Sequence, residues 1–475
     1  RSLMKAMNKL SNYWLKREIN LTKNIQSTGF EHLTGHDQSF WHPMTHPGDS
    51  LANPARIFVK AEGVEITDNT GHSVLDAVGG LWNVNLGYSC EPVKKAINEQ
   101  LQQMPFYSSF RGTTTAPVIE LSAALKEWFA EDGMTRSFFT SGGSDSVETC
   151  LRLARQYHKI RGDKDRYKFI SLKKGYHGTH FGCASVNGNS NFRRNYEPLL
   201  PGTYHIPAPW TYRNPFNSDD PAEIAKLCAA LLEEEIKFQG ADTVAAFIME
   251  PVLGAGGVIV PHKTFMPMVR EICDRHGVLL IADEVITAFG RTGSASGSRH
   301  WGVKPDLMAT AKAISNAYFP VGAVLINDKV AEAFETNKDA TGAIGHGYTN
   351  SGHPVGCAAA VATLAETKRL NIPDNAAKRG IELQAGLQEL MSKHHKVGNA
   401  RGVGLMSCLE LVSNRETKEP LDKASIEKVA DATYNEGVII RTSGNNIIIS
   451  PPLIITTNHV ERILSALDTG LSAIG

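Results

Sequence analysis

The stretch VLLIADEV at residues 278–285 places five apolar residues directly before two carboxylates. A run so continuously hydrophobic is typical of a strand buried on both faces of a parallel sheet. Five further runs have this character: 136–140 (RSFFT), 167–172 (YKFISL), 243–249 (TVAAFIM), 306–310 (DLMAT) and 321–326 (VGAVLI). Amphipathic stretches separate them, one with an apolar face formed by Val147, Cys150, Leu151, Ala154 and His158. This alternation predicts a doubly wound, mostly parallel α/β domain of about 250 residues.

The two ends of the chain differ from this middle. At residues 56–75, two alternating segments flank an Asp-Asn-Thr-Gly turn at 68–71, which predicts a hairpin. Beyond about residue 351 the pattern becomes helical and then ends in short strands around 404–411 and 446–450. We therefore predict a large domain at 81–350 and a smaller α+β domain formed by both termini, from 1–80 and 351–475.

The composition excludes several classes of function. In the 475-residue chain, 49 Lys and Arg residues balance 49 Asp and Glu residues, so no net field attracts nucleic acid or an anionic membrane surface. Seven scattered cysteines argue against disulfides and against a cysteine-rich zinc site, and no metal is predicted. No apolar run approaches the roughly 20 residues of a membrane helix, and no secretion signal is evident. We expect a cytoplasmic protein.

The N-terminal segment is basic, with Lys5, Lys9, Lys16, Arg17 and Lys23. A transit peptide would show such residues, but Glu18 and the scarcity of Arg favour a docking helix.

A glycine-rich turn follows the strand at 136–140. The sequence Ser141-Gly142-Gly143-Ser144-Asp145 leads directly into the amphipathic helix. Glycines expose backbone N–H groups, and the helix start adds unpaired donors and a partial positive charge, so the turn could bind a phosphate. The Lys of a Walker A loop is absent. A plain strand-to-helix turn capped by Ser144 or Asp145 explains the same residues.

Charged residues end three other predicted strands. Asp283 is placed at the carboxyl edge of the sheet, where a partly buried carboxylate needs a partner, although Asp283 or Glu284 could instead cap a turn. Glu250 repeats the pattern before Pro251. Lys312 stands among small and apolar neighbours, where desolvation would lower its pKa and make it a nucleophile, unless the side chain reaches water.

A phosphate cup, a carboxylate and a lysine at one sheet edge suit a cofactor that carries a phosphate, a ring nitrogen and an aldehyde. Pyridoxal phosphate has these three groups.

The chain also resembles the class III (omega) aminotransferases, fold type I pyridoxal phosphate enzymes, and in particular their amine and omega-amino acid:pyruvate branch. The resemblance extends from Trp41-His42-Pro43 to Pro451-Pro452-Leu453. Its motifs are Gly80-Leu81-Trp82, Gly142 to Asp145, Tyr176-His177-Gly178, Glu250-Pro251, Ala282 to Ile286, Phe289 to Gly293, Pro305-Asp306, Ala311-Lys312 and His346 to Thr349 followed by Ser351 to Pro354.

The resemblance implies a role for each matching residue. Lys312 would form the Schiff base with the cofactor and then move the proton, and Asp283 would keep the pyridine nitrogen protonated. Tyr176 would stack on one ring face and Val285 would pack against the other. The phosphate would be held by Gly142, Gly143 and Ser144, and by Thr349 of a neighbouring subunit, so the family's active sites lie at a homodimer interface. The remaining expected cofactor-binding residues are His177, Glu250 and Tyr348.

Five residues are candidates for the substrate pocket. The resemblance places Trp82, Phe110 and Tyr348 in the substrate pocket, although each could equally be core packing. Arg441 matches a mobile arginine that would clamp the carboxylate of the keto acid. Arg111 stands where an apolar residue is usual, and we hypothesise that it binds a distal anionic group of an omega-amino acid.

The sequence departs from the family pattern at several positions, none of which touches the reacting atoms. They are Ala288 for Gly, Ala313 for the Gly after the lysine, Asn316-Ala317 for a Ser/Thr-Gly pair, Asn350 for Tyr and Asp145 for Glu. Several of them would narrow the pocket or change its polarity.

These observations predict a ping-pong transaminase that moves an amino group from a primary amine or omega-amino acid to a keto acid, most simply pyruvate. We expect a homodimer with shared active sites, or a tetramer. A decarboxylase or aminomutase of the same fold is the first alternative, and a phosphate-ligand binding protein without catalysis is the second.

Overall fold

The computed structural model describes residues 39–336 and 343–475. The described residues divide into two compact units, with the boundary between residues 75 and 76. The basic N-terminal segment considered above lies outside the described residues. The predicted domain boundaries at 80/81 and 350/351 stay a prediction.

The described part of the first unit is a short helix followed by an antiparallel meander. Its elements are α1 (Pro47–Ala52), β1 (Phe58–Glu62), β2 (Glu65–Asp68) and β3 (Ser73–Asp76). The predicted hairpin is confirmed, because β2 pairs with β3 across the Asp-Asn-Thr-Gly turn. The Asp68 carboxylate holds this turn by accepting the backbone N–H of Thr70 at 2.9 Å and that of His72 at 3.1 Å. The pairing of β1 with β2 adds a second hairpin.

The second unit is built on a seven-stranded sheet. The strands are β4 (Met134–Thr140), β5 (Lys168–Leu172), β6 (Thr203–Ile206), β7 (Val244–Met249), β8 (Leu279–Asp283), β9 (Leu307–Thr310) and β10 (Gly322–Asn327), in the order β4-β10-β9-β8-β7-β5-β6. All six predicted strands are confirmed, and the sheet is parallel from β9 to β6, whereas β10 runs antiparallel to both of its neighbours. The edge strand β6 was not predicted, because its sequence TYHI is not continuously apolar.

Helices surround this sheet. They are α2 (Gly79–Trp82), α3 (Glu91–Gln103), α4 (Ala116–Trp128), α5 (Gly143–Ile160), α6 (Phe181–Val186), α7 (Pro221–Gln239), α8 (Phe265–His276), α9 (Gly297–His300) and α10 (Asp328–Thr336). All five residues of the predicted apolar face of α5 are buried. Two hydrophobic clusters, which share no residue, cover the sheet, as expected for a doubly wound fold.

The C-terminal part adds an antiparallel sheet and four helices. The sheet contains β11 (Val397–Val403), β12 (Met406–Asn414), β16 (Asn446–Ile449) and β15 (Arg441–Ser443) in that order, with β13 (Glu419–Pro420) also paired to β12. The remaining elements are α11 (Pro354–Arg369), α12 (Ile372–Lys393), α13 (Lys423–Asn435), β14 (Val438–Ile439) and α14 (Thr457–Ser472). The two strands predicted here are confirmed as β12 and β16. Within the described ranges, no helix combines the length and the apolar composition that crossing a bilayer requires.

Candidate active site

A cavity of 390 Å³ opens at the carboxyl edge of the seven-stranded sheet. Because the strands from β7 to β9 are parallel, the residues that end them share this edge. Nine predicted site residues line the cavity: Gly142, Gly143, Ser144, Tyr176, His177, Glu250, Asp283, Val285 and Lys312. The structure therefore brings together the phosphate cup, the carboxylates and the lysine that the sequence analysis singled out.

Asp283 is the last residue of β8 and is only 4 % exposed. One of its carboxylate oxygens lies 2.8 Å from Nδ1 of His177, and the other accepts the backbone N–H of Val285 at 3.2 Å. No hydrogen bond within the described part of the chain reaches the buried Nε2 of His177. A hydrogen on Nδ1 of His177 donates to the carboxylate in this arrangement. The Asp283 carboxylate keeps lone pairs that can accept a further donor.

Lys312 follows β9 and begins a 3-10 turn at Lys312–Ser315. Its backbone φ is +52°, a left-handed conformation that costs a non-glycine residue about 1–3 kcal/mol and recurs at functional sites. Burial lowers the pKa of the Lys312 amine to about 8, against the opposing effect of the Asp283 and Glu250 carboxylates. Such an amine is partly neutral, and therefore nucleophilic, near pH 7.

The phosphate cup is formed by the first turn of α5, which begins at Gly143. Gly142 precedes the helix with an extended backbone and provides no side-chain cap. Asp145 helps to hold the turn by accepting the backbone N–H of Ser141 at 3.0 Å. The first N–H groups of a helix have no partner within it, and here they border the cavity. A Cβ atom on Gly143 would come within 2.9 Å of a methyl group of Val285, so only glycine fits there.

A short loop at residues 175–178 supplies Tyr176 and His177 to the cavity. Glu250 accepts the backbone N–H of Tyr176 at 2.9 Å and that of Gly254 at 2.8 Å. Burial raises the pKa of the Glu250 carboxyl, and the nearby Asp283 charge adds to this effect. The fully buried Asn187 accepts the backbone N–H of His177 at 2.5 Å and donates to the carbonyl of Gly178 at 2.9 Å. The sequence analysis missed Asn187, because it lies ten residues from the loop in no recognisable motif.

Several other predicted residues lie away from this cavity. Trp82 does not line it, and its side chain is 4 % exposed within a core cluster that includes Ile286 and Met406. In the single chain Trp82 packs in the core, which is the alternative left open above, and its place in the substrate pocket stays a prediction. Gly79 and Gly80 have positive φ angles, and after Leu81 the φ of Trp82 is +62°. With this backbone the neighbours Leu81 and Asn83 line the cavity and Trp82 does not.

Phe110, Arg111 and Tyr348 line a second cavity of 1040 Å³. Phe110 is 44 % exposed, and its ring packs so closely on Gly347 that a Cβ atom there would approach it to 2.9 Å. The Tyr348 hydroxyl donates to the Asp145 carbonyl at 3.1 Å. Thr349 is exposed and lines neither cavity. Within one chain, these four residues are not brought to Lys312.

Arg441 lies on the edge strand β15. Within residues 39–336 and 343–475, no hydrogen bond or ion pair engages its guanidinium. Burial lowers the pKa of Arg441. Its positive charge adds to the lowering of the Lys312 pKa that burial causes, and it partly offsets the rise that burial causes in the pKa of Tyr176. An unpaired, half-buried guanidinium close to the reactive lysine can bind a carboxylate.

The cavity fits pyridoxal phosphate at three points. The glycine turn leaves room for a phosphate beside the free N–H groups of a helix start. The buried Asp283 carboxylate has lone pairs to spare for a protonated ring nitrogen. The Lys312 amine, which no hydrogen bond or ion pair of the described residues engages, is available to an aldehyde.

Comparison with known proteins agrees with this fit. Residues 49–471 match the family model described as aminotransferase class-III, and the chain belongs to this family. It is a pyridoxal phosphate-dependent aminotransferase with the predicted fold type I architecture.

The chain is similar to several characterised relatives. It is 39 % identical to a putrescine--pyruvate aminotransferase of Pseudomonas aeruginosa over 413 residues. The aligned region covers 86 % of this chain and 89 % of that protein. It is 34 % identical to gamma-aminobutyrate transaminase 1 of Oryza sativa subsp. indica, over 96 % of this chain and 94 % of the relative. An amine transaminase from an uncultivated Pseudomonas species, solved with pyridoxal phosphate bound, matches with a TM-score of 0.90 and 45 % identity, over 92 % of this chain and 99 % of that chain.

Proposed function

We propose that this aminotransferase moves the amino group of a primary amine or omega-amino acid to a keto acid, most simply pyruvate, by a ping-pong mechanism. The observation that carries the proposal is that the Lys312 amine, whose pKa burial lowers to about 8, lines the same cavity as the Asp283 carboxylate. When bound, the cofactor supplies an electron-withdrawing ring that delocalises the charge left by deprotonation of the amino-bearing carbon.

The residues of this chain perform the remaining tasks. Lys312 would hold the cofactor aldehyde through its amine, and the same amine would move the proton from the amino-bearing carbon of the donor to the cofactor side. Asp283 holds a proton on the ring nitrogen, because a buried carboxylate paired with His177 strongly favours a cationic partner. Tyr176 and Val285 hold the two ring faces, and the start of α5 binds the phosphate.

Arg441 supports pyruvate as the acceptor. Its guanidinium is unpaired and half-buried, and a small keto acid presents one carboxylate next to its carbonyl carbon, which suits bidentate binding. The similarity to a putrescine--pyruvate aminotransferase supports the same pairing of an amine with pyruvate.

The proposal includes a homodimer with shared active sites. Thr349, Phe110, Arg111 and Tyr348 lie away from Lys312 of their own chain, yet the family resemblance assigns all four to the site. Exposed apolar side chains adjoin them on the segment that leads to Phe110, namely Leu101, Met104, Phe106 and Tyr107. A surface of this kind is typical of a subunit interface. A cytoplasmic location is also proposed, because all seven cysteines are free and buried.

A donor screen tests this function. The purified holoenzyme is incubated with pyruvate and one of putrescine, beta-alanine, taurine or an arylalkylamine, and alanine and carbon dioxide are measured. We expect alanine without carbon dioxide, and no alanine from Lys312→Ala. Release of carbon dioxide without alanine would instead indicate a decarboxylase. Borohydride should fix a chromophore on the wild-type protein and should fix none on Lys312→Ala. The opposite result for either protein would contradict the role of Lys312.

A further inference from the structure

Two consecutive left-handed residues follow the Lys312 turn. Asn316 has a φ of +52° and Ala317 a φ of +57°. Asn tolerates this region because its short amide can bond locally, whereas Ala does not, and glycine would adopt it without strain. An alanine at position 317 therefore has a strained backbone conformation that glycine would not have.

The Ala317 backbone cannot move to relieve this strain. On one side, the Asn316 amide accepts the backbone N–H of Leu86 at 2.7 Å and donates to the carbonyl of Gly87 at 2.8 Å. On the other side, the Tyr318 hydroxyl donates to the same carbonyl at 2.8 Å and accepts the backbone N–H of Cys90 at 3.1 Å. Anchors on both neighbours fix the position of the methyl group.

Ala317 is an exposed residue that lines the active-site cavity, five residues after Lys312. Ala317 lines the cavity together with Lys312, and its own N–H donates to the Lys312 carbonyl at 3.3 Å. Leu81 and Phe319 line the same cavity and add bulk to it. A donor can carry a second substituent on its amino-bearing carbon. If that substituent points toward Ala317, it contacts a side chain whose backbone is held in place on both sides.

We infer that Ala317 is a size filter that makes the enzyme prefer amines whose amino-bearing carbon is an unbranched CH₂, such as terminal diamines and omega-amino acids, over amines branched at that carbon. The inference rests on the proposed function and narrows its donor class. A rigid apolar wall discriminates against one extra methyl group by about 10- to 200-fold. The selectivity comes from excluding the branch and needs no contact with the far end of the donor.

A pair of isomeric amines tests the filter in the holoenzyme. With pyruvate as acceptor, kcat/KM is measured for 1-aminobutane and for each enantiomer of 2-aminobutane, in the wild type and in Ala317→Gly. We expect the wild type to prefer 1-aminobutane by at least about 10-fold, and Ala317→Gly to reduce this ratio by about 10-fold through faster turnover of a branched isomer.

Ala313→Gly is the matched control. Ala313 also stands where the family has glycine, but it is 2 % exposed in the core and does not line the cavity. We expect this variant to keep the wild-type ratio of the two amines. The melting temperature separates strain from selectivity: Ala317→Gly should hold or raise it by about 1 °C, and Ala313→Gly should lower it.

Three outcomes overturn the inference. A wild-type ratio near one would show that no filter exists. A ratio unchanged in Ala317→Gly, whether its melting temperature holds or rises, would show that the methyl group does not select between the two amines. Conversion of neither isomer nor any other amine by cofactor-loaded wild type would instead refute the proposed function, and the filter with it.

Discussion

Nδ1 of His177 lies 2.8 Å from Oδ2 of Asp283, and both side chains are buried at the carboxyl edge of the sheet. Burial raises the free energy of a charged carboxylate, and a single hydrogen bond from His177 offsets only part of that cost. A cation placed beside the carboxylate would therefore stabilise it further. Asp283 and Lys312 line the same cavity. In the proposed function, this pair provides the site for a protonated ring nitrogen.

Replacing Asp283 with Asn removes this charge while keeping the side-chain shape. We expect kcat to fall about 10²–10³-fold, because a preorganised electrostatic partner of the reacting system is lost. His177→Ala should have a smaller effect, since the carboxylate remains. We would measure kcat for transamination under steady-state conditions and determine the affinity for the cofactor by a fluorescence titration. Equal losses of kcat in the two variants would contradict the separate roles.

Asn187 holds the loop of Tyr176 and His177 from behind. Asn187→Ala leaves a buried N–H and a buried carbonyl unsatisfied, and we expect a loss of about 2–4 kcal/mol in the free energy of unfolding, together with weaker cofactor binding. The control is Asn191→Ala, which changes an exposed residue on the same segment and should stay within about 0.5 kcal/mol. Denaturant unfolding of both variants checks this, and a wild-type value for Asn187→Ala would refute the positioning role.

The sequence predicted the cofactor site better than the substrate site, for a physical reason. Asp283, Lys312 and the glycine turn end or follow continuously apolar strands, and parallel topology brings strand ends together without further information. Trp82 and Asn187 depend on how loops fold, since the left-handed turn at Gly79 and Gly80 directs the indole of Trp82 into the core.

The short strands show the same limit. β6, β11 and β15 were not predicted, because an edge or antiparallel strand needs fewer apolar residues than a central one. Arg441 lies on β15, so its placement near Lys312 came from the family resemblance and not from any periodicity of the sequence.

The lowered pKa of Lys312 predicts a pH dependence. Only the neutral amine condenses with an aldehyde, so in cofactor-free enzyme the rate of pyridoxal phosphate capture should rise with pH and level off above about 8, the pKa that burial sets. An ordinary lysine would give a midpoint near 10.4. Because the Asp283 charge raises the Lys312 pKa, Asp283→Asn should move the midpoint below that of the wild type. Stopped-flow absorbance gives these midpoints, and a wild-type midpoint near 10 would contradict the burial argument.

Arg441 predicts a difference between the two half-reactions. Arg441→Gln should raise KM for pyruvate about 10- to 100-fold, because the charge-assisted hydrogen bonds to its carboxylate are lost. The KM for a neutral amine donor should stay unchanged. Arg441→Lys keeps the charge but not the planar fork, so we expect an intermediate value. The two KM values are obtained by varying each substrate at saturating partner, and a parallel rise in both would show that Arg441 has only a structural role.

Shared active sites predict complementation between two defective chains. Lys312→Ala lacks the reactive amine but keeps Thr349, whereas Thr349→Ala keeps Lys312 but lacks the residue proposed to reach the neighbouring phosphate. Co-expression with two different affinity tags allows hybrid dimers to be isolated. Each hybrid would contain one site with both residues intact and one with neither, so we expect about half of the wild-type activity from parents that are far less active. A hybrid of Thr349→Ala with the double variant has no intact site and should show no recovery. If the first hybrid is no more active than Thr349→Ala alone, Thr349 does not act across the interface.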